Sequence, residues 1–308
     1  MKFTPPHPLL YRRFLAEALK EDLGHGDVTT DTLVPKGLKG LGILRAKQDL
    51  VLCGLEVARE IFHMVDEELA FVPLREDGEK ISQGEAVAKV RGRVESILKG
   101  ERVALNFLQH LCGVTTYTRM FVEKVKDLPV KIIDTRKTLP GLRVLEKYAV
   151  LCGGGANHRF GLSDGVLIKD NHIKACGSVK EALKRSRKLP HVYRVEIEVK
   201  SLQELEEALE AGAEAILLDN MPLETLREAV RRARKKNPRV ILEASGGVSL
   251  ENVREIAETG VDLISVGRLT HSAPAADLNL KIVEVFNEKM LRKKEKLLRS
   301  QTIPTKEV

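Results

Sequence analysis

Apolar positions along this chain change their spacing as the sequence proceeds. From Pro8 to Asp22 they recur at helical intervals. They then fall into β-like stretches, Gly40 to Ala46 and Ala86 to Val90, separated by the turn signals Asp77-Gly78 and Gln83-Gly84. This first third predicts a small α+β domain. A long helix is predicted to follow from Val94, with Ile97, Leu98, Leu105, Leu108 and Cys112 on one stripe and Gly113 interrupting it.

From Val130 onward, short apolar runs alternate with helical segments: VKIID, DGVLIKD, YRVEIEV, AEAILLD, RVILEAS and VDLISVG. Two of the intervening helices open on capping boxes, Ser178-x-x-Glu181 and Ser201-x-x-Glu204, and a third starts at Pro222. Repeated βα units with β-branched strands imply a parallel sheet covered by helices, and their regular repetition favours a barrel over an open doubly wound sheet. Six such strands predict an incomplete α/β barrel, short of the eight of a full one. The expected division is residues 1–113 as the smaller domain, joined by a C-terminal helix over 274–288, and residues 114–273 as the barrel that carries the site. Residues 289–308 form a basic tail.

Composition adds limits to this picture. No run approaches the roughly 20 apolar residues that span a bilayer, and the start, MKFTPPHPLL, has no apolar signal core, so a cytoplasmic chain without a membrane partner is expected. Cys53, Cys112, Cys152 and Cys176 form no C-x-x-C pair and read as reduced thiols, mostly core. The formal charge of +7 is concentrated at the end, where six basic residues against one acid lie between Lys289 and Arg299. No aromatic residues interleave them, which favours a solvated face over a nucleic-acid contact.

In barrels of this kind the site gathers where the strands end. The runs here end in Asp134-Thr135-Arg136-Lys137, in Lys169-Asp170-Asn171-His172, in a strand carrying Glu196 and Glu198, in Asp219-Asn220, in Glu243-Ala244-Ser245-Gly246-Gly247 and in Val266-Gly267-Arg268. Arg136, Lys137, His158, Arg159 and Lys169 would converge on one mouth, and their mutual repulsion calls for a strongly acidic ligand. Glu198 and Asp219, on adjacent strand ends, offer the hard oxygens that suit Mg²⁺. With Ser245, Gly246, Gly247 and Gly267 ahead of helices, the set reads as a metal-diphosphate site. On the long helix, Glu101 falls inside the apolar stripe; Arg102 either pairs with it or projects into a neighbouring site, and spacing leaves both open.

From about Tyr11 to Phe286 the chain resembles the quinolinate phosphoribosyltransferase family. The resemblance rests on EDLGHGDVTT (Glu21 to Thr30), ERVALNFLQHLCGVTT (Glu101 to Thr116), DTRKTLPGLRVLEKYAVLCGGGANHR (Asp134 to Arg159), LIKDNH, VEIEV, LLDN, EASGG and VGRLTHS. It implies an N-terminal α/β sandwich joined to an incomplete barrel, and a homodimer, possibly assembled further, in which Arg102 enters the neighbour's site. It further implies that Arg136, His158, Arg159 and Lys169 hold the quinolinate carboxylates. Lys137 would lie near the ribose and pyrophosphate of phosphoribosyl pyrophosphate, and Glu198 and Asp219 would serve the ribose hydroxyls and Mg²⁺. Ser245, Gly246, Gly247, Val266 and Gly267 would line the 5′-phosphate. Lys137, Lys169, Glu198 and Asp219 are the expected catalytic set, with no organic cofactor. Arg268 and the basic tail depart from the family pattern.

Three rival readings are weighed. A related pyrophosphorylase for another acidic base would share the phosphate and metal residues but not all the cations. A Schiff-base aldolase of barrel type would use Lys169 as its nucleophile. A nucleic-acid binder would rely on the C-terminal basic run.

Overall fold

The computed structural model describes residues 3–286. It builds two compact units, one from the chain up to Cys112 together with the segment from Ala276, the other from Gly113 to Ala275. Among the described residues, no helix is long and apolar enough to cross a membrane.

The first unit holds helices α1 (Arg12–Leu23), α2 (Val28–Leu33) and α3 (Leu55–Val65), the short paired strands β2 (Leu50–Val51) and β4 (Lys80–Ile81), and a four-stranded antiparallel sheet. That sheet runs in the order β12 (Leu278–Phe286), β1 (Lys39–Ala46), β5 (Ala86–Arg93), β3 (Ala70–Pro73). Strand β1 turns Gly40, Gly42, Leu44 and Ala46 inward, the period of two that its sequence predicts. Helix α3 buries Leu55, Val57, Ala58, Ile61 and Phe62. The Asp77 carboxylate accepts the N–H groups of Gly54 (3.1 Å) and Leu55 (3.3 Å) at its start, so a residue of the predicted turn also caps a helix. Helix α4 (Val94–Val125) begins in this unit.

Two expectations are corrected here. The segment expected as a helix over 274–288 is, in its described part, strand β12, pairing antiparallel with β1 from Leu278↔Ala46 to Phe286↔Lys39. Its apolar residues fill the edge of a sheet whose other strands come from far away in the chain, a context that local periodicity does not report. The basic tail 289–308 lies outside the described residues. Helix α4, in turn, is not interrupted at Gly113 but runs on to Val125. A Cβ at Gly113 would lie 2.2 Å from the Pro274 carbonyl oxygen, so the glycine serves close packing within a continuous helix.

The second unit carries six parallel strands: β6 (Lys131–Ile133), β7 (Val166–Ile168), β8 (Val195–Val199), β9 (Ala215–Asp219), β10 (Ile241–Ser245) and β11 (Leu263–Ser265). Their order is β6-β11-β10-β9-β8-β7, so the sheet curls until the first strand meets the last but leaves β6 and β7 unpaired. This is an α/β barrel that does not close. At the gap, Ala156 forms an isolated parallel bridge with Ile133, exchanging hydrogen bonds with Asp134 N–H and Ile132 C=O. Between β6 and the gap lies α5 (Arg143–Cys152), and the remaining strands are followed by α6 (Asp170–Cys176) with α7 (Val179–Ser186), α8 (Leu202–Glu210), α9 (Leu223–Lys236), α10 (Val253–Ala257) and α11 (Arg268–His271). Ser178 and Ser201 accept the N–H groups of Glu181 and Glu204, both at 3.1 Å, as the capping pattern requires. Pro222 lies immediately before α9.

Replacing Gly113 by alanine tests the packing reading. Intrinsic helix propensity would gain about 1 kcal/mol, whereas overpacking against a backbone carbonyl costs about 1–3 kcal/mol. The expected outcome is a lower Tm in thermal denaturation; a raised Tm would refute the close approach.

Candidate active site

The strand ends of the second unit surround a cavity of about 340 Å³. Arg136 and Lys137 reach it from beyond β6, His158 and Arg159 from the segment in the barrel gap, Lys169 from the end of β7, Glu198 from β8, Asp219 from β9, and Glu243 and Ser245 from β10. A second cavity of about 180 Å³ shares Thr135, Lys137, Ser245 and Ser265 with it and is rimmed by Gly246, Gly247, Val266, Gly267, Arg268 and His271. Every expected site residue of this unit therefore borders one or both cavities. Arg102 does not; it is exposed on α4 in the first unit. Burial pushes the neighbouring Glu101 carboxyl upward, and Arg102 draws it back.

The gap segment is held by a buried ion pair. Asp134, fully buried, accepts Lys147 Nζ at 2.5 Å and the His158 N–H at 2.8 Å, and the same ammonium donates to His158 C=O at 3.0 Å. Burial pushes the Asp134 carboxyl up, while Lys147 and the His158 amide pull it back. Arg143 fastens the loop above by donating to Thr138 Oγ1 (3.0 Å), Phe160 C=O (3.1 Å) and Arg136 C=O (3.3 Å). From α4, Arg119 donates to the carbonyls of Gly153 (2.8 Å) and Cys152 (3.3 Å), fixing the glycine run that leads to His158.

The cations meet at the cost that the sequence implied. Burial, and then the proximity of Arg136, push Arg159 below the ordinary guanidinium value. One of its terminal nitrogens donates to Gly165 C=O at 2.8 Å, but its buried Nε has no hydrogen-bond partner. A buried donor left unmatched is costly, and an anion in the cavity would relieve it. Lys169 Nζ donates to Glu198 Oε2 at 2.9 Å, and its backbone N–H donates to His172 Nδ1 at 2.9 Å, which anchors the strand end.

His158 faces differently from expectation. Its Nδ1 accepts the Arg159 N–H at 2.7 Å, and its Nε2 lies 3.0 Å from Glu196 Oε2, so both ring nitrogens are engaged within the protein. The imidazole borders the cavity without offering it a free donor.

The rim depends on backbone shape. Asn220 adopts φ 52°, rare for a residue other than glycine, and donates through Nδ2 to Asp219 Oδ1 at 2.9 Å. Its side chain fills the space beside Gly246, where a Cβ would lie 2.2 Å from Asn220 Oδ1 and where φ is +93°. Gly267 admits Lys137 in the same way, since a Cβ there would stand 2.9 Å from Lys137 Cδ. Val266 is buried, and its N–H is spent on Ile133 C=O at 3.0 Å, so it lines the rim without an amide to give a ligand. Arg268, read as a departure from the family pattern, is among the residues lining the smaller cavity. Thr135, Ser265 and above all Glu243 are cavity residues that sequence reasoning passed over. Only the position of Glu243 at a strand end signalled it.

An α/β barrel whose strand ends gather cations, carboxylates and glycines around adjoining cavities has the layout of an α/β-barrel enzyme site. Residues 27–112 match the N-terminal domain of quinolinate phosphoribosyl transferase, and residues 114–281 match its C-terminal domain. The chain belongs to the quinolinate phosphoribosyltransferase family. It is 44% identical over 286 residues to a probable nicotinate-nucleotide pyrophosphorylase [carboxylating] of Synechocystis, covering 92% of this chain and 96% of that protein. It is 42% identical over 275 residues to the nicotinate-nucleotide pyrophosphorylase [carboxylating] of Mycobacterium leprae, covering 87% of this chain and 96% of the other. Among solved structures, the nicotinate-nucleotide pyrophosphorylase of Francisella tularensis superposes with a TM-score of 0.85 at 36% identity, covering 93% of this chain and 99% of that one.

The buried pair at the gap gives a direct test. Lys147→Met should lower stability by about 3–5 kcal/mol, the usual cost of leaving one buried charge without its partner. Chemical denaturation of parent and variant measures it, and a loss below about 1 kcal/mol would mean that the pair behaves as a surface one.

Proposed function

We propose that this cytoplasmic enzyme transfers the phosphoribosyl group of phosphoribosyl pyrophosphate to the ring nitrogen of quinolinate, with loss of pyrophosphate and carbon dioxide. The product is nicotinate mononucleotide, which feeds NAD biosynthesis. The observation that carries this reading is the meeting of Arg136, Arg159 and Lys169 in one cavity that also presents Glu198 and Asp219 and opens onto a glycine-lined rim. Two adjacent carboxylates on the ring match the cations, and the 5′-phosphate matches the rim beside Gly246, Gly247 and Gly267.

The pyridine nitrogen is the nucleophile, so the protein supplies none. Arg136, Arg159 and Lys169 orient the dicarboxylate so that this nitrogen faces the anomeric carbon, converting a bimolecular encounter into a positioned one. Lys137 borders both cavities, which supports a role in stabilising the charge that grows on the departing pyrophosphate. The new N–C bond forms as the C–O bond to pyrophosphate breaks. The alkylated ring then takes up the electron pair of the breaking C2–carboxylate bond, and a proton from solvent replaces the carbon dioxide. Because the ring is its own electron sink, no organic cofactor is required.

Glu198 and Asp219 supply the hard oxygen donors that suit Mg²⁺, and Lys169 and Asn220 hold these carboxylates by hydrogen bonds, so the donor set fits. Bound there, Mg²⁺ would neutralise the leaving pyrophosphate. The same contact turns Lys169 Nζ onto Glu198 Oε2 at 2.9 Å, so its position suits a binding cation better than the free nucleophile a Schiff base needs.

The assay is incubation with quinolinate, phosphoribosyl pyrophosphate and Mg²⁺, with nicotinate as the control substrate. Nicotinate mononucleotide should form from quinolinate and not from nicotinate. Lys169→Ala should lower kcat/KM by ~100-fold or more, as removal of a charge that holds both substrate and metal ligand implies. Unchanged turnover in that variant would overturn the assignment.

The homodimeric arrangement, with Arg102 entering the partner's cavity, generates its own test. Arg102→Ala and Lys169→Ala should each be inactive alone. Mixed and reassembled in equal amounts, they should recover roughly a quarter of parent activity, because half of the dimers then hold one intact site of two. No recovery on verified subunit exchange would place Arg102 in its own chain's site or outside catalysis.

A further inference from the structure

Beneath the substrate cavity lies a group that the chemistry above does not use. Glu243, on β10, is 1% exposed, and neither of its carboxylate oxygens has a hydrogen-bond partner. It stands between the upper cavity and a second one of about 380 Å³ inside the same barrel, and His158 borders both with it. His158, Glu196 and Glu243 bring their ligand atoms within 4.8 Å of one another, a constellation that invites a metal. The hydrogen bonds argue otherwise. Because His158 Nδ1 accepts the Arg159 N–H, the ring proton belongs on Nε2, and a protonated nitrogen does not ligate a metal.

That Nε2–H is directed to Glu196 Oε2 at 3.0 Å; Glu243 Oε2, at 3.6 Å, is too far to share it. Two carboxylates thus lie within 4.8 Å of each other in the lumen, Glu196 with the His158 N–H at hydrogen-bond distance and Glu243 with no more than the pull of the nearby Ser265 hydroxyl and Lys169. An orphaned, ionised carboxylate at this burial is costly, and a proton on the deeper one removes the cost and supplies the missing bond. Burial first, and then the charge of Glu196, push the Glu243 carboxyl well above its ordinary range, with Ser265 and Lys169 pulling the other way.

We propose that Glu243 works as a neutral carboxylic acid that donates its proton to Glu196, completing a hydrogen-bond chain from Glu243 through Glu196 and the His158 ring to the Arg159 amide. Glu243 is then a positioning residue: it fixes the imidazole and the backbone from which Arg159 reaches the substrate. Its neutrality has a second effect. An ionised Glu243 would compete with the dicarboxylate for the cations of the cavity, whereas the acid leaves their surplus to the ligand.

The effect on substrate rests on the quinolinate reading, so the test has one arm independent of it. In infrared spectra at neutral pH, the parent should show the C=O stretch of a buried protonated carboxyl, and Glu243→Gln should lack it. In kinetics, Glu243→Gln, a neutral group that still donates to Glu196, should leave the quinolinate KM within ~3-fold, whereas Glu243→Ala should raise it ~10-fold or more, with the phosphoribosyl pyrophosphate KM nearly unchanged. Absence of the infrared band, or a Gln variant as impaired as the Ala variant, overturns the proposal by showing that an anion is needed there. If the Ala variant fails to fold by circular dichroism, the band and the Gln variant still decide. If the parent shows the band but does not turn over quinolinate, the functional reading fails and the neutral acid stands.

Discussion

Lys147 and Asp134 form the contact on which the rest of the barrel mouth depends. The sheet leaves β6 and β7 unpaired with each other, and the single bridge at Ala156 is the one point at which the segment in the gap joins a strand ladder among the described residues. Beyond that point the buried ion pair, with Asp134 also taking the His158 N–H, holds the segment. Charges removed from water are stable only when their remaining bonding capacity is met, and here ammonium, carboxylate, amide and carbonyl meet it mutually. The ends of the fixed segment are then set. One side releases Arg136 and Lys137, the other His158 and Arg159.

With those ends set, the cavity is built as an electrostatic imbalance before any ligand arrives. Arg159 is disfavoured by burial and by Arg136, and its Nε has no acceptor. Lys169 is restrained by Glu198 without being cancelled, since other cations share the same small volume. A cavity with such an imbalance favours an anion, whose arrival would relieve part of the strain. The glycine rim adds shape: Asn220 and Gly246 fit only because one accepts a left-handed backbone and the other has no side chain.

Local pattern carried a good part of this. Strands β8, β9 and β10 were visible as apolar runs because both faces of a parallel barrel strand are covered, and the Ser178 and Ser201 caps because capping is decided within four residues. The cations and acids at the strand ends were visible too, since a βα unit places its loop chemistry at a known point. Other features escaped. The segment 278–286 passes for a helix until β1 lies alongside it, and Gly113 looks like an interruption until Pro274 is seen against it.

By itself, then, the sequence determined the βα alternation, the number of barrel strands, the polarity of the substrate and the family, because each is written in spacing, residue type or ordered motif. Only the tertiary structure decided the open seam between β6 and β7, the pairing of Lys147 with Asp134, the inward turn of the His158 ring and the orphaned carboxyl of Glu243. These are relations between residues 13 to 85 positions apart. Charge and hydrogen-bond energies depend on distance and burial in space, and neither is a property of any short stretch of chain.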